Sequence, residues 1–303
     1  LHHIFDHTPA SLESLDRRIE KLSRLLREAD HVLIGAGAGL SAAAGLVYSG
    51  EAFEREFAPW IERYGITDLY SSSFYPFATE EERWAYWAHH IWFARFMPEG
   101  KPLYRQLLEW VKGKPYFVLT TNVDAQFEKS GFDKDRIFAT QGDYAYLQAR
   151  SGKPETLVYN ENWVKEAMDA TKDCRIPSTL VPRHPETGEL MSPNLRCDNT
   201  FVEDKRWHQQ AERCQAFVEE ARGHRLLLLE FGVGFNTPSI IRFPFERLAA
   251  QWPHTSLIRF NRDYPQLMTE GVTNYIVFTE DLNEVFNGSF SKLRNSTNFV
   301  TNG

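Results

Sequence analysis

Residues 32–45 place the strongest constraint on what this 303-residue chain can fold into. The apolar run Val32-Leu33-Ile34 leads straight into Gly35-Ala36-Gly37-Ala38-Gly39, and the helix-prone Ser41-Ala42-Ala43-Ala44 follows. That order predicts a strand, a glycine turn and a helix. Such a turn lets the backbone come close to a phosphate, and the helix N-terminus adds unpaired N–H groups and a positive dipole end. Gly37-x-Gly39-x-x-Ala42 fits the dinucleotide fingerprint, so a pyrophosphate is its natural ligand; the same small residues also suit close helix–strand packing. An ordinary dehydrogenase wants a second strand ending in an acidic residue about 20 residues on, to hold the ribose. Here that stretch is Tyr48-Ser49-Gly50-Glu51-Ala52-Phe53, without strand character, so the ribose contact must come from elsewhere.

Ahead of the turn, Leu12, Leu15, Ile19, Leu22, Leu25 and Leu26 recur at three- and four-residue steps and predict an amphipathic helix over 12–26. Further short apolar runs come at 116–119, 136–139, 226–231, 256–260 and 275–278, none alternating cleanly with polar residues. Strands of that kind are buried on both faces, as in a parallel sheet covered by helices. The predicted fold class is therefore α/β, a Rossmann-like doubly wound parallel sheet with its ligand site at the strand carboxyl ends. Two insertions, 47–98 with the aromatic helix around Trp84, Trp87 and Trp92, and 149–213, rich in proline and asparagine, are expected to build a smaller module. The resulting division is one catalytic domain over 1–286, with core segments 12–46, 99–148 and 214–286, and a disordered polar tail over 287–303.

Asp and Glu number 41 against 34 Lys and Arg, a net charge of −7 that opposes a sequence-independent hold on nucleic acid. No apolar run approaches the roughly 20 residues of a bilayer span, and no secretory signal is visible, so neither membrane nor export is expected. Cys174, Cys197 and Cys214 form no C-x-x-C pair, which signals neither a disulfide framework nor a zinc knuckle and fits a reducing, cytoplasmic home. His184, His208 and Cys197 match no ligand spacing. His89, His90 and the aromatic helix read as structural. Arg183, Arg196 and Trp207 sit in the second insertion, where a protein partner could dock, although solvated charge is the default for an exposed arginine.

Several separated motifs carry a resemblance. Gly37-Ala38-Gly39-Leu40-Ser41-Ala42-x-x-Gly45 resembles the sirtuin G-A-G-[IL]-S-x-x-x-G signature, and Thr120-Thr121-Asn122-Val123-Asp124 resembles its T-Q-N-[IV]-D motif. Phe231-Gly232-Val233-Gly234-Phe235-Asn236-Thr237-Pro238 resembles the late phosphate and ribose loop, and Ile258-Arg259-Phe260-Asn261 the strand-end I-N motif. The resemblance runs over residues 12–286. It implies NAD as co-substrate, contacted by Gly37, Ala38, Gly39, Ser41, Asp124, Gly232, Val233, Gly234, Asn236, Asn261 and Asp281.

Three departures refine it. Val47-Tyr48-Ser49-Gly50 replaces the usual P-D-F-R, the paired cysteines of the zinc module are missing, and Gln141-Gly142-Asp143 stands where sirtuins carry H-G. In a deacylating sirtuin that histidine deprotonates a ribose hydroxyl; a glutamine amide hydrogen-bonds but has no proton equilibrium to use. Nicotinamide displacement needs mainly a bound NAD and a stabilised ribose cation, and would survive. These departures, with Pro193-Asn194-Leu195-Arg196-Cys197-Asp198-Asn199 and Trp207-His208, resemble the macrodomain-linked (class M) sirtuins. That branch implies mono-ADP-ribosylation of a lipoylated glycine cleavage H-like carrier, reversed by a partner macrodomain hydrolase, without zinc. It makes Asn122 and Gln141 the catalytic pair. Deacylation, NAD glycohydrolysis or a non-catalytic NAD or ADP-ribose sensor with an inert Gln141 are the competing readings, and in isolation Asn122 would only cap the helix after its strand.

Overall fold

The computed structural model describes residues 13–297, with side-chain environments to residue 289. Among the described residues nine strands run in chain order: β1 (His31–Ala36), β2 (Tyr116–Thr120), β3 (Ile137–Ala139), β4 (Gly142–Ala149), β5 (Val158–Tyr159), β6 (Met191–Leu195), β7 (Leu226–Phe231), β8 (Thr255–Phe260) and β9 (Tyr275–Phe278). Six of them make one sheet in the order β3-β2-β1-β7-β8-β9, every neighbouring pair parallel. All six residues of β1 and all six of β7 are buried, as strands covered by helices on both faces require. The six apolar runs of the sequence are these six strands. From β1 the chain builds outward through β2 and β3, then crosses back to β7 on the other side. The crevice at the carboxyl ends of β1 and β7 is thus the topological switch point, where open α/β sheets bind ligands.

The first helix, Leu15–Glu28, starts at Ser14, whose hydroxyl accepts from the Arg17 N–H at 3.3 Å. It buries Ile19, Leu22 and Leu26 against the sheet; Leu12 lies outside the described residues. The final helix, Leu282–Thr297, corrects the expected tail: residues 287–297 are helical, and 298–303 lie outside the described residues. Composition missed this because the anchor is tertiary. Val285, Phe286 and Ser289 are buried, and Phe286 stacks on Trp110 with ring centroids 4.2 Å apart.

The smaller module has its own core, in which Phe53, Phe57, Trp60, Trp84 and Tyr86 from the first insertion meet Val164 and Met191 from the second. Its helix Glu80–Ile91 is capped by Thr79, whose hydroxyl accepts from the Glu82 N–H. The aromatic residues of that helix are core, as read from the sequence. The module also contains a three-stranded antiparallel sheet, β5-β4-β6, that periodicity did not reveal. β5 has two residues, β4 slips register between Gly142 and Leu147, and Pro193 sits in the edge strand β6. β4 therefore belongs to the small sheet, whereas 99–148 was assigned to the core. The helix Lys205–Ala221 lies on the large sheet through Phe217 and Ala221, although the second insertion was drawn to residue 213.

His90 is enclosed between Tyr86, whose hydroxyl lies 2.8 Å from Nδ1, and Tyr144, 3.0 Å from Nε2. Burial pushes its pKa down to about 3, so the folded protein keeps it neutral. The unfolded chain protonates it below about 6.5, and stability should fall by up to about 1.4 kcal/mol per pH unit from there toward the folded value. Thermal melts at pH 7.5 and 5.5 should show a loss that His90→Asn reduces; an unchanged pH dependence in the variant would refute the assignment.

Candidate functional site

The three loops at the switch point are tied to one another by backbone bonds. The Gly37 N–H donates to the Phe231 carbonyl at 2.9 Å, Gly39 N–H to the Gly232 carbonyl at 3.1 Å, and Gly232 N–H to the Phe260 carbonyl at 2.9 Å. Gly39 and Gly232 stand back to back: a Cβ on Gly39 would lie 2.6 Å from Gly232 Cα, and one on Gly232 would lie 2.4 Å from Gly39 Cα. Gly232 also holds φ at +59°. Glycine at position 39 therefore lets two strand-end loops touch, a packing role that stands beside the expected approach to phosphate. Ala38 is left exposed at the start of the helix Ala38–Ala43.

Asn122 is held from both sides. Its N–H donates to the Thr120 hydroxyl at 3.0 Å, that hydroxyl donates to the Ala36 carbonyl at 2.8 Å, and the Asn122 side-chain nitrogen donates to the Gly37 carbonyl at 3.0 Å. The motif after β2 thus fastens to the glycine turn after β1. Asn122 does not cap the short helix Gln126–Lys129, which starts at Ala125 without a side-chain cap; Asp124 Oδ1 accepts from the Gln126 N–H at 3.1 Å just ahead of it. Asp124 is buried, and its Oδ2 accepts from the Ser41 hydroxyl at 2.6 Å; Ser41, having given its proton, accepts from Tyr104 at 2.6 Å. Burial pushes the Asp124 carboxyl up, opposed by the bonds from Ser41 and the Gln126 N–H. Ser41 and Asp124 therefore brace the site from inside, with their side chains engaged in the protein.

Gln141 stands at the entry of β4. The Thr140 N–H donates to the Thr120 carbonyl and Tyr144 N–H to the Val123 carbonyl, which sets residues 140–144 alongside the Asn122 motif. The Arg196 N–H donates to the Gln141 carbonyl, and Trp207 Nε1 donates to that of Thr140 at 3.1 Å. Gly142 cannot be replaced here: its φ is +105°, and a Cβ would lie 1.9 Å from the Asn194 carbonyl oxygen. The Gln141 side-chain oxygen is buried and has no hydrogen-bond partner. An unpartnered buried amide end is costly, so this oxygen is an acceptor with unused capacity beside the Asn122 motif. Asp143 turns instead to Arg95, at 2.9 Å. A cavity of about 610 Å³, lined by Asn122, Asp143, Arg95, Arg206 and Trp207 among others, opens on the β3 side and does not extend to the glycine loops.

On the other flank Asn261 donates to the Val233 carbonyl at 2.8 Å and accepts from the Tyr264 N–H at 2.9 Å. Val233 is buried beneath the loop, Gly234 is half-buried, and Asn236 is exposed. Asp281 is the outlier of the expected set. It accepts from the Asn283 N–H at 2.8 Å at the start of the final helix, and the Asn283 side chain donates to the Ala43 carbonyl at the end of the helix after the glycine turn. Among the described residues no group of three or more His, Cys, Asp or Glu is placed to hold a metal ion, and no helix is long and apolar enough to cross a membrane. Arg196 pairs with Glu203 at 2.7 Å, and Arg183 donates to the Gly188 carbonyl. Tyr104, Arg95 and Arg242, all bound to the site across long sequence separations, were not found by motif reading; no local pattern marks them.

Strand-end glycine loops over a switch point, beside a module inserted in two pieces, are the features of a sirtuin-like α/β fold. Solved structures bear this out at the level of fold. A Sir2 enzyme bound to a propionylated peptide superposes with a TM-score of 0.58 at 14% identity, covering 91% of this chain and 98% of that one. A Sir2 homologue in complex with ADP-ribose gives 0.56 at 14% identity, covering 93% and 99%. No family model matches the chain. Among curated proteins it is similar to a protein ADP-ribosyltransferase of Staphylococcus aureus, 29% identical over 293 residues, 96% of this chain and 92% of the relative. It is also similar to a probable bifunctional ADP-ribose hydrolase/ADP-ribosyltransferase of Fusarium oxysporum f. sp. cubense, 34% identical over 258 residues, 80% of this chain but only 41% of the relative's length. The chain thus has the sirtuin fold and is similar over nearly its whole length to a protein ADP-ribosyltransferase.

Proposed function

We propose that the chain transfers ADP-ribose from NAD to a lipoylated H-like carrier protein, with Asn122 and Gln141 as the catalytic pair. The observation that carries this reading is the placement of Gln141 alongside the Asn122 motif, with an amide oxygen that bonds to none of the described residues and can accept from a ribose hydroxyl. NAD supplies an anomeric carbon with nicotinamide as leaving group. The acceptor's nucleophile forms the new bond to that carbon as the glycosidic bond to nicotinamide breaks, and the nucleophile's proton passes to solvent. Asn122, immobilised by Gly37 and Thr120, orients the ribose, so part of the ordering entropy is met before reaction. Gln141 binds without taking a proton. Glycine loops 37–39 and 232–236 hold the pyrophosphate, and Asn261 sets the loop on the adenosine side. The cysteine spacing supports a module built without zinc. The Fusarium relative, named for both hydrolase and transferase, supports a partner macrodomain hydrolase that reverses the modification.

The test gives NAD and a lipoylated H-like carrier to the parent, Asn122→Ala and Gln141→Ala, and follows carrier mass beside an acetyl-lysine peptide. The parent should modify the carrier and leave the peptide acetylated, because the missing general base is commonly worth ~10²–10⁴ in rate. Asn122→Ala should lower nicotinamide release and transfer together, and Gln141→Ala should impair transfer at least as severely as NAD binding. Nicotinamide release with the carrier unmodified would mark a glycohydrolase, and binding without release a sensor. Efficient peptide deacetylation beside an unmodified carrier would overturn the proposal.

A further inference from the structure

Beyond β7 and β8, two loops face each other across the crevice, and one buried side chain joins them. Arg242, at the start of the helix Arg242–Gln251, is fully buried, and its guanidinium donates to three main-chain carbonyls: Val233 at 3.1 Å, Tyr264 at 2.8 Å and Gln266 at 2.6 Å. The first belongs to the glycine loop after β7, the other two to the loop after β8. The same guanidinium lies 4.1 Å from the centroid of the Phe235 ring, and Phe235 meets Tyr264 edge to face at 5.5 Å. Tyr264 remains 45% exposed although its main chain is fastened by both Arg242 and Asn261, so it is a rigid, open aromatic face and not a loose one.

The direction in which a dinucleotide lies across the switch point follows from the site. With its pyrophosphate at the loops after β1 and β7, one nucleoside extends over β2, where Asn122 and Gln141 stand, and the other extends over β7 and β8. If the reacting ribose is at Asn122, as the proposed function has it, the adenosine half lies toward Phe235 and Tyr264. A purine binds an exposed aromatic ring by stacking, which requires a fixed ring and makes no demand on its substituents.

We propose that Phe235 and Tyr264 form an aromatic lip on which the adenine of NAD stacks, and that Arg242 is the positioning residue that fixes this lip. A planar fork with five donors reaches three carbonyls and a ring face at once; the lysine ammonium is a compact point charge and cannot reproduce that set. The inference rests on the placement of NAD in the proposed function, and the test separates the two.

Calorimetry with NAD and with ADP-ribose, on the parent, Tyr264→Ala, Tyr264→Phe, Phe235→Ala, Arg242→Lys and Gly39→Val, decides it. Tyr264→Ala should weaken both ligands about tenfold, within the range that loss of one base–aromatic stack produces. Tyr264→Phe should bind like the parent. In nicotinamide release Tyr264→Ala should raise KM for NAD about tenfold with kcat nearly unchanged, because uniform binding is lost while the reacting end is untouched. Arg242→Lys should repeat that pattern; if it does not fold, the ring variants alone decide. Parent-like binding by Tyr264→Ala and Phe235→Ala, with Gly39→Val unable to bind, would overturn the lip and leave the NAD site standing. Parent-like binding by a folded Gly39→Val would instead remove the site on which the lip depends. A fall in kcat without a rise in KM in Tyr264→Ala would also overturn the inference.

Discussion

Replacing Gly39 by valine should reduce NAD affinity by at least about 100-fold, the largest binding effect expected of any single substitution. The new Cβ would lie 2.6 Å from Gly232 Cα and 3.1 Å from its carbonyl oxygen, so the glycine turn after β1 and the loop after β7 must separate. Backbone on both sides leaves no flexible side chain to yield. Overpacking of this kind costs about 1–3 kcal/mol where the surroundings can shift, and 100-fold in affinity corresponds to about 2.7 kcal/mol. The two loops also share their hydrogen bonds, Gly37 to Phe231 and Gly39 to Gly232, so parting them spoils the proposed pyrophosphate cradle even where the chain stays folded. Calorimetry on folded Gly39→Val checks this; an affinity within about twofold of the parent would show that the site has been misplaced.

Arg259→Met should have the largest effect on stability. Arg259, Glu230 and Glu246 are all fully buried, at the level of β7, β8 and the helix Arg242–Gln251. The guanidinium donates to Glu230 at 3.0 Å, to Glu246 at 2.9 Å and to the Gln266 carbonyl at 2.7 Å. Burial opposes its charge, but the two carboxylates more than offset that and hold its pKa above the ordinary value. Removing the cation leaves two buried carboxylates facing each other, and breaking a buried pair commonly costs about 3–5 kcal/mol. A fall in melting temperature on the order of 10 °C is expected. Arg259→Met with Glu230→Met should recover part of the loss, because one uncompensated charge goes with the other. Circular dichroism melts of the single and double variants test this, and a single variant melting with the parent would contradict it.

The cluster also connects stability to the ligand site. Glu246 accepts from the Met268 and Thr269 N–H groups, and Arg259 and Arg242 both donate to Gln266, so the loop after β8 is moored to charges in the core. Arg242 itself carries a cost: burial and the nearby Arg259 push its pKa down to about 10. A chain that needed only a packed core would gain from apolar residues at these positions. The placement beside the loops of the crevice gives the buried charges a positioning role.

The altered motif illustrates how a single amide changes what a fold can do. With glutamine at position 141, the site keeps a hydrogen-bonding group next to Asn122 while losing the only titratable nitrogen that motif supplies to a sirtuin. Gly142, unreplaceable on steric grounds, holds that glutamine at the entry of β4. Arg95 and Asp143 beside it are paired with each other, so the charge lining the cavity at Asn122 is balanced within the protein.

Much of this was legible along the chain because it is local. The six strands of the large sheet show as short apolar runs, since a strand buried on both faces needs apolar residues consecutively. The glycine turn, Asn122, Gln141 and the late glycine loop show as motifs, since each is a backbone requirement met within a few residues. The small antiparallel sheet did not show, because its strands are short, bulged and interrupted by Pro193. The helix Leu282–Thr297 did not show either, because its anchor is Phe286 stacking on Trp110, far away in sequence. Sequence alone determined the class of fold, the order of the loops and the residue types offered to a dinucleotide. Only the tertiary structure decided that Ser41 and Asp124 spend their side chains on each other, that Gly39 is matched to Gly232, and that Arg242 joins two loops, for each is a contact between segments that periodicity and motif treat as independent.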